Sequence, residues 1–482
     1  MLLSPHVLHA FKWSMLAEAA SRLIAPLSFF LLALVLAPED FGVVAAATVV
    51  ISLSLAIAEA GLGKALIQRE GEIEHAASTA YWITVSLGLS ATFLLWLSAP
   101  YIAYFFQDAR VTSVMRVLSL QCVLASLCTV PAALLQRKLA FRKLFWVRLS
   151  TTALPCLASI LLALTGMGYW ALVVGTLAGQ AAQVIMLWRV GRWVPRFHVT
   201  IQMAGSLLRF GRWAALSTLL AWFYTWIDTL IVGHYLGSHE MGLYRVGNAL
   251  VVAAFGVTLA PLLPVLFPVF SRHQHDLTEI RSGLAMVVRT IASISLPGGA
   301  LLFLGSPFAE ALLASKGWDG IGTVIALLGA AHGIAWLVGA NGEALRGAGK
   351  PHAESLAMGL AIFGYLVAFL IAIRYGLQAF LVARLGTACI GVLVQISVAR
   401  WAIRFSIRSM LHAIWRPLLI ALAIAGLHFV PVNRDDATAS LMVLSIGIFL
   451  YCVFLWVSER KLLRIALRAI YLRGKVVPVE CP

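Results

Sequence analysis

The chain has 482 residues, of which 61% are hydrophobic and only 12% are charged, and its mean hydropathy is +0.93. Soluble globular chains are about 25% charged and about 45–50% apolar, so this composition excludes a water-soluble globular protein. The formal net charge of +16 would suggest nucleic-acid binding in a soluble protein, but cytoplasmic loops rich in Lys and Arg give a membrane protein the same excess.

Long apolar runs recur from one end of the chain to the other, which predicts an all-α polytopic membrane protein. Residues in these runs are apolar on every face, whereas the strands of a membrane β-barrel alternate. About fourteen transmembrane crossings are predicted. Their approximate spans are residues 12–37, 41–63, 79–104, 111–135, 144–165, 168–190, 208–236, 240–270, 283–304, 320–342, 353–373, 377–401, 411–430 and 438–457.

Two local features add little to this interpretation. The N-terminal stretch MLLSPHVLHAFKW lacks a cleavable-signal pattern, so the first helix is expected to stay in place as an anchor. The six cysteines lie mostly inside apolar runs and form no metal-type CxxC pair, so they are interpreted as small core residues. No metal or cofactor is expected.

The Lys and Arg residues are distributed unevenly between the two predicted sides of the membrane. The stretch LQRKLAFRKLFWVR, residues 135–148, joins two apolar runs and carries five Arg or Lys residues. If the N-terminus is cytoplasmic, the inward segments together hold roughly five times as many cations as the outward ones. This asymmetry predicts an inner-membrane protein with both termini in the cytoplasm, and it explains the basic stretches without nucleic acid.

The order of motifs suggests an internal repeat. LAPEDFG at Leu36–Gly42 and LGSHEMG at Leu236–Gly242 both follow a long helix as tight outward turns. Weaker sequence similarities relate LQRKLAF to LRGAGKP, and GYWALVVGTLAG to GLQAFLVARLG. We therefore predict two six-helix lobes, residues 1–195 and 196–405, related by an axis along the membrane normal. Two further helices at 406–458 and a basic amphipathic tail at 459–482, expected to lie on the cytoplasmic leaflet, complete the chain.

Several motifs in the same order carry a family resemblance. WIDTLIVGHYLGSHEMGLYRVGNAL, PVLFPVFSRHQHD, LLQRKLAFRKL and GYWALVVGTLAGQ resemble the polysaccharide-transporter branch of the multidrug/oligosaccharidyl-lipid/polysaccharide (MOP) exporter superfamily. The resemblance is to Wzx-type flippases of the colanic-acid and succinoglycan exporter group, and it covers nearly the whole chain. Arg245 departs from the pattern, because similar proteins more often have a small or polar residue there.

The resemblance implies a MOP/MATE-like fold and a flippase function. Such proteins move undecaprenyl-diphosphate-linked oligosaccharides from the cytoplasmic to the periplasmic leaflet. The implied partners are the lipid-linked oligosaccharide, membrane lipids, and polysaccharide polymerase and export machinery. Alternating access coupled to a proton or a sodium ion is the implied mechanism.

Ionisable residues within predicted helices are the candidate site, because they are costly in hydrocarbon and so mark transport pathways. Guanidinium groups match phosphate oxygens, which makes Arg22, Arg245 and Arg384 candidates for the diphosphate or an acidic sugar. The alternative for Arg245 and Arg384 is that they snorkel to an interface. Glu18 lies four residues before Arg22, a spacing that also fits an internal ion pair.

A second group of candidates surrounds the predicted seventh helix. Asp228 lies well inside that helix and is a candidate, with Glu18 and Glu59, for binding the coupling ion. Trp222, Tyr224 and Trp226 precede it, and aromatic faces stack on sugars, although the same residues are also enriched at membrane interfaces. His332 is interpreted as a packed core histidine.

The sequence also leaves other functions open. A drug or cation exporter and a peptidoglycan-precursor flippase of the same superfamily remain alternatives. A membrane polysaccharide polymerase or glycosyltransferase is a remote alternative, since the sequence has neither a large outward loop nor an acidic metal-type cluster. The sequence favours a transporter over an enzyme.

Overall fold

The computed structural model describes residues 5–59, 62–68, 73–197, 201–313, 316–431 and 437–458, and some side chains within the helices fall outside the description. Throughout this described part the secondary structure is helical. The first nine helices are α1 (Pro5–Ala33), α2 (Pro38–Glu59), α3 (Leu62–Gln68), α4 (Ile73–Phe105), α5 (Arg110–Leu118), α6 (Leu120–Arg137), α7 (Phe141–Leu164), α8 (Tyr169–Gly191) and α9 (Ile201–Thr258). The remaining eight are α10 (Leu263–Arg272), α11 (Leu277–Leu313), α12 (Ile321–Ala335), α13 (Asn341–Gly347), α14 (Pro351–Ala372), α15 (Leu377–Ile403), α16 (Ile407–Gly426) and α17 (Ala437–Ser458).

Twelve helical stretches in the described part of the chain are long and apolar enough to cross a membrane. The all-α polytopic fold predicted from the sequence is therefore confirmed. The count of fourteen stays a prediction, because α1 contributes only a short apolar stretch to the described residues, Ala20–Ala33, and the predicted seventh and eighth crossings run together in α9. The basic tail at 459–482 lies outside the described residues.

Side-chain exposure fits a lipid environment. Large apolar side chains such as Phe93, Phe363 and Met442 are more than half exposed on the outer faces of their helices. Exposing such a surface to water costs about 25 cal/mol per Å² of apolar area, whereas contact with acyl chains carries no such cost. The outer faces of these helices are thus suited to hydrocarbon.

Contacts divide the chain into two compact units. The first runs through Ala253 and also includes Trp318 and Ile373–Leu377. Within it α7 packs against α1 and α8, and α6 packs against α4 and α8. Arg137 at the end of α6 donates to the carbonyl of Ile67 at 2.9 Å, so its guanidinium caps the short helix α3.

The second unit holds most of the chain from Ala254 onward, and α11 is its centre. This helix packs against α12, α16 and α17. Glycines bring α11 and α12 into backbone contact, since a Cβ atom on Gly299 would lie 2.8 Å from the carbonyl oxygen of Gly329, and one on Gly333 would lie 2.8 Å from that of Ser295. Small residues serve the same purpose in many membrane helix pairs. The division into lobes at residue 195 and the repeat axis stay predictions.

Candidate substrate and coupling site

The α9 hairpin is the element that assembles the candidate site. Its helical backbone conformation is interrupted at Gly237, whose φ of 83° and ψ of −174° are open to glycine and strained for other residues. The chain reverses there, so residues at similar distances before and after the turn face each other across the two arms. Asp228 on the first arm therefore meets Tyr244 on the second, sixteen positions later.

Asp228 is buried and fully engaged by local donors. Its side chain is 3% exposed, and the hydroxyl of Tyr244, itself 0% exposed, donates to Oδ2 at 2.7 Å. The backbone N–H of Thr229 donates to Oδ1 at 2.6 Å, and the Thr229 hydroxyl donates to the same oxygen at 3.2 Å. A carboxylate accepts hydrogen bonds only, so these donors suit it. The prediction that Asp228 lies well inside the helix agrees with this position.

Arg245 follows Tyr244 and lies over the ring of Trp226. The guanidinium carbon is 4.2 Å from the ring centroid, which is the geometry of a cation–π contact. Arg245 is half-buried, and the Asp228 carboxylate acts on it electrostatically. The hairpin thus gathers three predicted site residues, Trp226, Asp228 and Arg245, into one cluster, which we call the hairpin cluster together with Tyr244.

The other two predicted aromatic residues differ from each other. Trp222 is 6% exposed, and its indole N–H donates to the hydroxyl of Ser52 on α2 at 2.8 Å. This indole joins α9 to α2, and its packed faces leave little room for a sugar. Tyr224 is 50% exposed and offers a free ring face.

The remaining candidates lie elsewhere. Arg384 on α15 has its guanidinium carbon 5.6 Å from the ring centroid of Phe369 on α14, a buried residue. Arg22 is half-buried on α1. The side chains of Glu18 and Glu59 lie outside the described residues, so their predicted roles stay predictions.

The predicted core histidine on α12 can be placed as well. His332 is half-buried, and its ring is stacked near Phe255 with centroids 6.2 Å apart. This environment fits the interpretation as a packing residue.

The two turns of the predicted repeat contact each other. A Cβ atom on Gly42 would lie 1.8 Å from the carbonyl oxygen of Ser238, and one on Gly242 would lie 1.8 Å from that of Pro38. Each glycine thus meets the backbone of the third residue of the opposite turn. We call this feature the turn contact.

Polar groups reinforce the turn contact. Glu39 Oε1 and His239 Nδ1 are 2.6 Å apart, and this pair joins the fourth residue of each turn. The hydroxyl of Ser238 donates to Asp108 Oδ2 at 2.6 Å, and Arg110 donates to the same oxygen at 2.8 Å. Both turns are predicted to lie at the outward ends of their helices, which would place these bonds at the outward end of the first unit.

The pKa of Asp108 reflects this network. Burial raises the pKa of the carboxyl, but hydrogen bonds from Arg110 and Ser238 and the positive charge of Arg110 outweigh burial, so the pKa lies below its usual value. The ionised form of Asp108 is therefore the one that the turn contact stabilises.

Sequence reasoning missed Tyr244, Thr229 and the polar pairs of the turn contact. The signal for Tyr244 was present, because it is as far after Leu236 as Asp228 is before it. An antiparallel hairpin brings such positions together. The repeated LAPEDFG and LGSHEMG were recognised as turns, but the sequence pattern gave no indication that they touch.

Comparison with known proteins extends these findings. Residues 31–322 match the sequence profile described as polysaccharide biosynthesis protein. The succinoglycan biosynthesis transport protein ExoT of Rhizobium meliloti is 27% identical over 94% of this chain and 93% of its own length. The teichuronic acid biosynthesis protein TuaB of Bacillus subtilis is 25% identical over 77% of this chain and 78% of its own length.

Among solved structures, the lipid II flippase MurJ in an inward closed conformation aligns with a TM-score of 0.75. The alignment covers 94% of this chain and all of that one at 14% identity. At that identity the likeness shows the fold alone, and it confirms the predicted MOP-type fold. The profile covers more than half of the sequence, and the chain belongs to the polysaccharide biosynthesis protein family.

Proposed function

We propose that the protein is a flippase that moves undecaprenyl-diphosphate-linked oligosaccharide units from the cytoplasmic to the periplasmic leaflet. The observation that carries this proposal is the hairpin cluster, a buried carboxylate and a cation–π pair inside a membrane-spanning hairpin. An ionisable residue at a helix centre costs about 2.5–3.5 kcal/mol by insertion scales, so such a cluster indicates a transport role. Membership of the polysaccharide biosynthesis family supports this substrate class.

The substrate has three chemically different parts. A diphosphate and a hydrated glycan must avoid hydrocarbon, while the polyprenyl tail stays in it. Arg245 offers a guanidinium whose planar fork matches phosphate oxygens, and Tyr224 offers an exposed ring for a sugar face. We assign diphosphate recognition to Arg245, with Arg22 and Arg384 as further candidates.

The turn contact supports alternating access. With the outward end of the first unit closed, a substrate released toward the periplasm requires separation of the Glu39–His239 and Asp108–Ser238 pairs. Each pair joins two polar groups across a short distance, and water can replace both partners when the pair separates. We propose that these pairs break and re-form in each transport cycle.

Asp228 is the candidate for ion coupling. Its carboxylate oxygens already accept bonds from Tyr244 and Thr229, so a proton or a sodium ion entering the cluster would displace or share these donors. The motion would be passed along α9 toward the turn at Gly237. We further propose the cytoplasmic membrane as the location, both termini in the cytoplasm, and cooperation with polymerase and export machinery.

A reconstituted flipping assay tests the proposal. Proteoliposomes would carry a fluorescent polyprenyl-diphosphate oligosaccharide, and flipping would be measured as its access to a membrane-impermeant quencher. Arg245→Lys keeps the charge but loses the planar fork, and Asp228→Asn removes the coupling charge. Each is expected to slow flipping about tenfold or more, the effect of losing one charge-assisted hydrogen bond.

Arg374→Lys is the matched control, because Arg374 is exposed and its side chain forms no hydrogen bond or ion pair with any residue that the structure describes. It should flip substrate at the wild-type rate. If the wild-type protein flips substrate and neither Arg245→Lys nor Asp228→Asn slows the flipping, the assignment of these residues is wrong. Absence of flipping together with dye efflux in cells would instead indicate a drug exporter.

A further inference from the structure

A cationic cavity lies at the connection between α15 and α16, in the second unit. It has a volume of about 430 Å³, within the usual range for ligand pockets. The residues that line it are Arg400, Arg404, Phe405, Ser406, Ile407 and Arg408. None of them belongs to the hairpin cluster or to the turn contact, so the proposed flippase function does not account for this cavity.

The arginines of the cavity have no ion-pair partner among the residues that the structure describes. Arg400, Arg404 and Arg408 make no hydrogen bond or ion pair with any residue that the structure describes, and the stretch from Leu377 to Pro431 contains neither aspartate nor glutamate. Three guanidinium groups around one cavity repel one another unless an anion lies between them. The preference of cytoplasmic loops for Lys and Arg would be satisfied equally well if the arginines were spread along the loop, so it does not explain why they surround one cavity.

The connection that forms the cavity is held in place. The ammonium group of Lys350 donates to the carbonyl of Ala402 at the end of α15, and the backbone N–H of Phe405 donates to the carbonyl of Ala399 at 3.4 Å. The Phe405 side chain is 2% exposed and anchors the loop. The arginines therefore extend from a fixed backbone, which lowers the entropy cost of binding an anion.

Exposed apolar side chains flank the cavity along both helices. Trp401 is 65% exposed beside Arg400, and on α16 Leu411 and Trp415 are 58% and 44% exposed. Both helices are long and apolar enough to span a membrane, where such side chains would face acyl chains and the indoles would lie near the headgroups. A ligand of this cavity would place a phosphate among the arginines and hydrocarbon along these residues.

We propose that this cavity binds the phosphate of an anionic phospholipid in the cation-rich leaflet. The arginines pair with the phosphodiester, and the acyl chains lie against Trp401, Leu411 and Trp415. The same phosphate chemistry belongs to a polyprenyl diphosphate. The phospholipid is favoured because the lining residues all come from the α15–α16 connection, at the predicted cytoplasmic ends of two membrane-spanning helices, and none of them belongs to the hairpin cluster.

Native mass spectrometry of the purified full-length protein tests this proposal. Protein is extracted from vesicles of phosphatidylcholine alone, or of phosphatidylcholine and phosphatidylglycerol in roughly a 3:1 ratio, and the retained lipid is counted. The wild type should retain phosphatidylglycerol. The triple variant Arg400→Gln, Arg404→Gln, Arg408→Gln should lose about tenfold or more of that retention, and Arg404→Gln alone should lose part of it.

The control triple variant changes Arg189→Gln, Arg192→Gln and Arg272→Gln, three arginines predicted to lie on the same side of the membrane. It should keep phosphatidylglycerol as the wild type does. Equal loss in the two triple variants would show that binding follows total charge, and equal retention would show that the cavity arginines do not bind the lipid; either result would overturn the proposal. Circular dichroism and size-exclusion chromatography show whether each variant is folded.

Competition separates the two sources of phosphate. Adding undecaprenyl diphosphate should leave the retained phosphatidylglycerol in place. If undecaprenyl diphosphate displaces it and Arg404→Gln abolishes that displacement, the cavity belongs to the transported substrate and the phospholipid assignment is wrong. Flipping by the triple variant at the wild-type rate would support a site separate from transport.

Discussion

Asp228 illustrates how a charged residue can be accommodated inside a membrane-spanning hairpin. Its two carboxylate oxygens accept hydrogen bonds from Tyr244 on the opposite arm and from the neighbouring Thr229. Hydrogen bonds to a charged group contribute about 1.5–3 kcal/mol each, which offsets much of the cost of burial. The same bonds determine which changes at this position the protein tolerates.

Tyr244→Phe should destabilise the protein by about 1.5–3 kcal/mol, because the buried Asp228 carboxylate loses a donor that water cannot replace. Thermal unfolding in detergent measures the loss. In an Asp228→Asn background, Tyr244→Phe should lower the free energy of unfolding by roughly half as much, since a neutral acceptor forms a weaker hydrogen bond.

Tyr375→Phe provides the comparison for Tyr244→Phe. Tyr375 is 78% exposed, and removal of its hydroxyl should leave the unfolding temperature unchanged. An equal loss of stability from Tyr244→Phe with and without Asp228 would show that the two side chains are not coupled.

Asp108 gives the turn contact a defined pH dependence. Its folded-state pKa is lowered, so it contributes stability above the unfolded-state value of about 3.9 and loses that contribution as the pH falls toward the folded-state value. Wild-type protein should therefore be more stable than Asp108→Asn at neutral pH, with the difference shrinking only below about pH 4. Thermal unfolding across this range measures it, and a difference that already fades near pH 6 would point to another group.

At the scale of elements, the turn contact depends on glycine at two equivalent positions. A Cβ atom on Gly42 would overlap the backbone of Ser238, and one on Gly242 would overlap that of Pro38. Side chains could move aside, but these neighbours are main chain. The closed arrangement therefore tolerates no side chain at either position.

Gly42→Ala should open the turn contact. Overpacking of this kind costs typically about 1–3 kcal/mol, which shifts a closed-to-open equilibrium about tenfold. A cysteine introduced as Ser238→Cys in a background lacking the six native cysteines reports the change, because its labelling by a membrane-impermeant maleimide should become faster. Gly364→Ala, where a Cβ atom would meet nothing within 4 Å, should leave the labelling rate unchanged. Unchanged labelling with Gly42→Ala would contradict the role of the turn contact.

The sequence predicted elements better than it predicted contacts. Helix positions follow from apolar runs, so the predicted spans at 144–165 and 168–190 agree closely with α7 and α8. The break of α9 at Gly237 was also expected, because LGSHEMG was recognised as a turn. By contrast, the Tyr244–Asp228 bond and the turn contact depend on packing between segments, which one sequence without aligned relatives does not encode locally.

At the scale of the whole molecule, membrane orientation follows from the distribution of cations, and one matched pair of residues can test it. Gln107 and Leu139 are both exposed residues in connections between helices, with φ of 56° and 51°. Gln107 is predicted to face the periplasm and Leu139 the cytoplasm.

In cells that express a cysteine-free background, Gln107→Cys should react with a membrane-impermeant maleimide added outside, and Leu139→Cys should react only after the membrane is permeabilised. The reverse pattern would invert the topology and place the cation-rich loops in the periplasm. Labelling of both sites from outside would contradict the predicted number of crossings between them.

The reversal at Gly237 also constrains how the segment from Asp228 to Tyr244 can change in length. Their side chains meet only because the segments before and after the turn have compatible lengths, and one inserted residue would rotate everything beyond it by about 100° around the helix axis. Tyr244 and Arg245 would then both turn away from their partners. Substitutions along this stretch are therefore expected to accumulate during divergence far more readily than insertions or deletions.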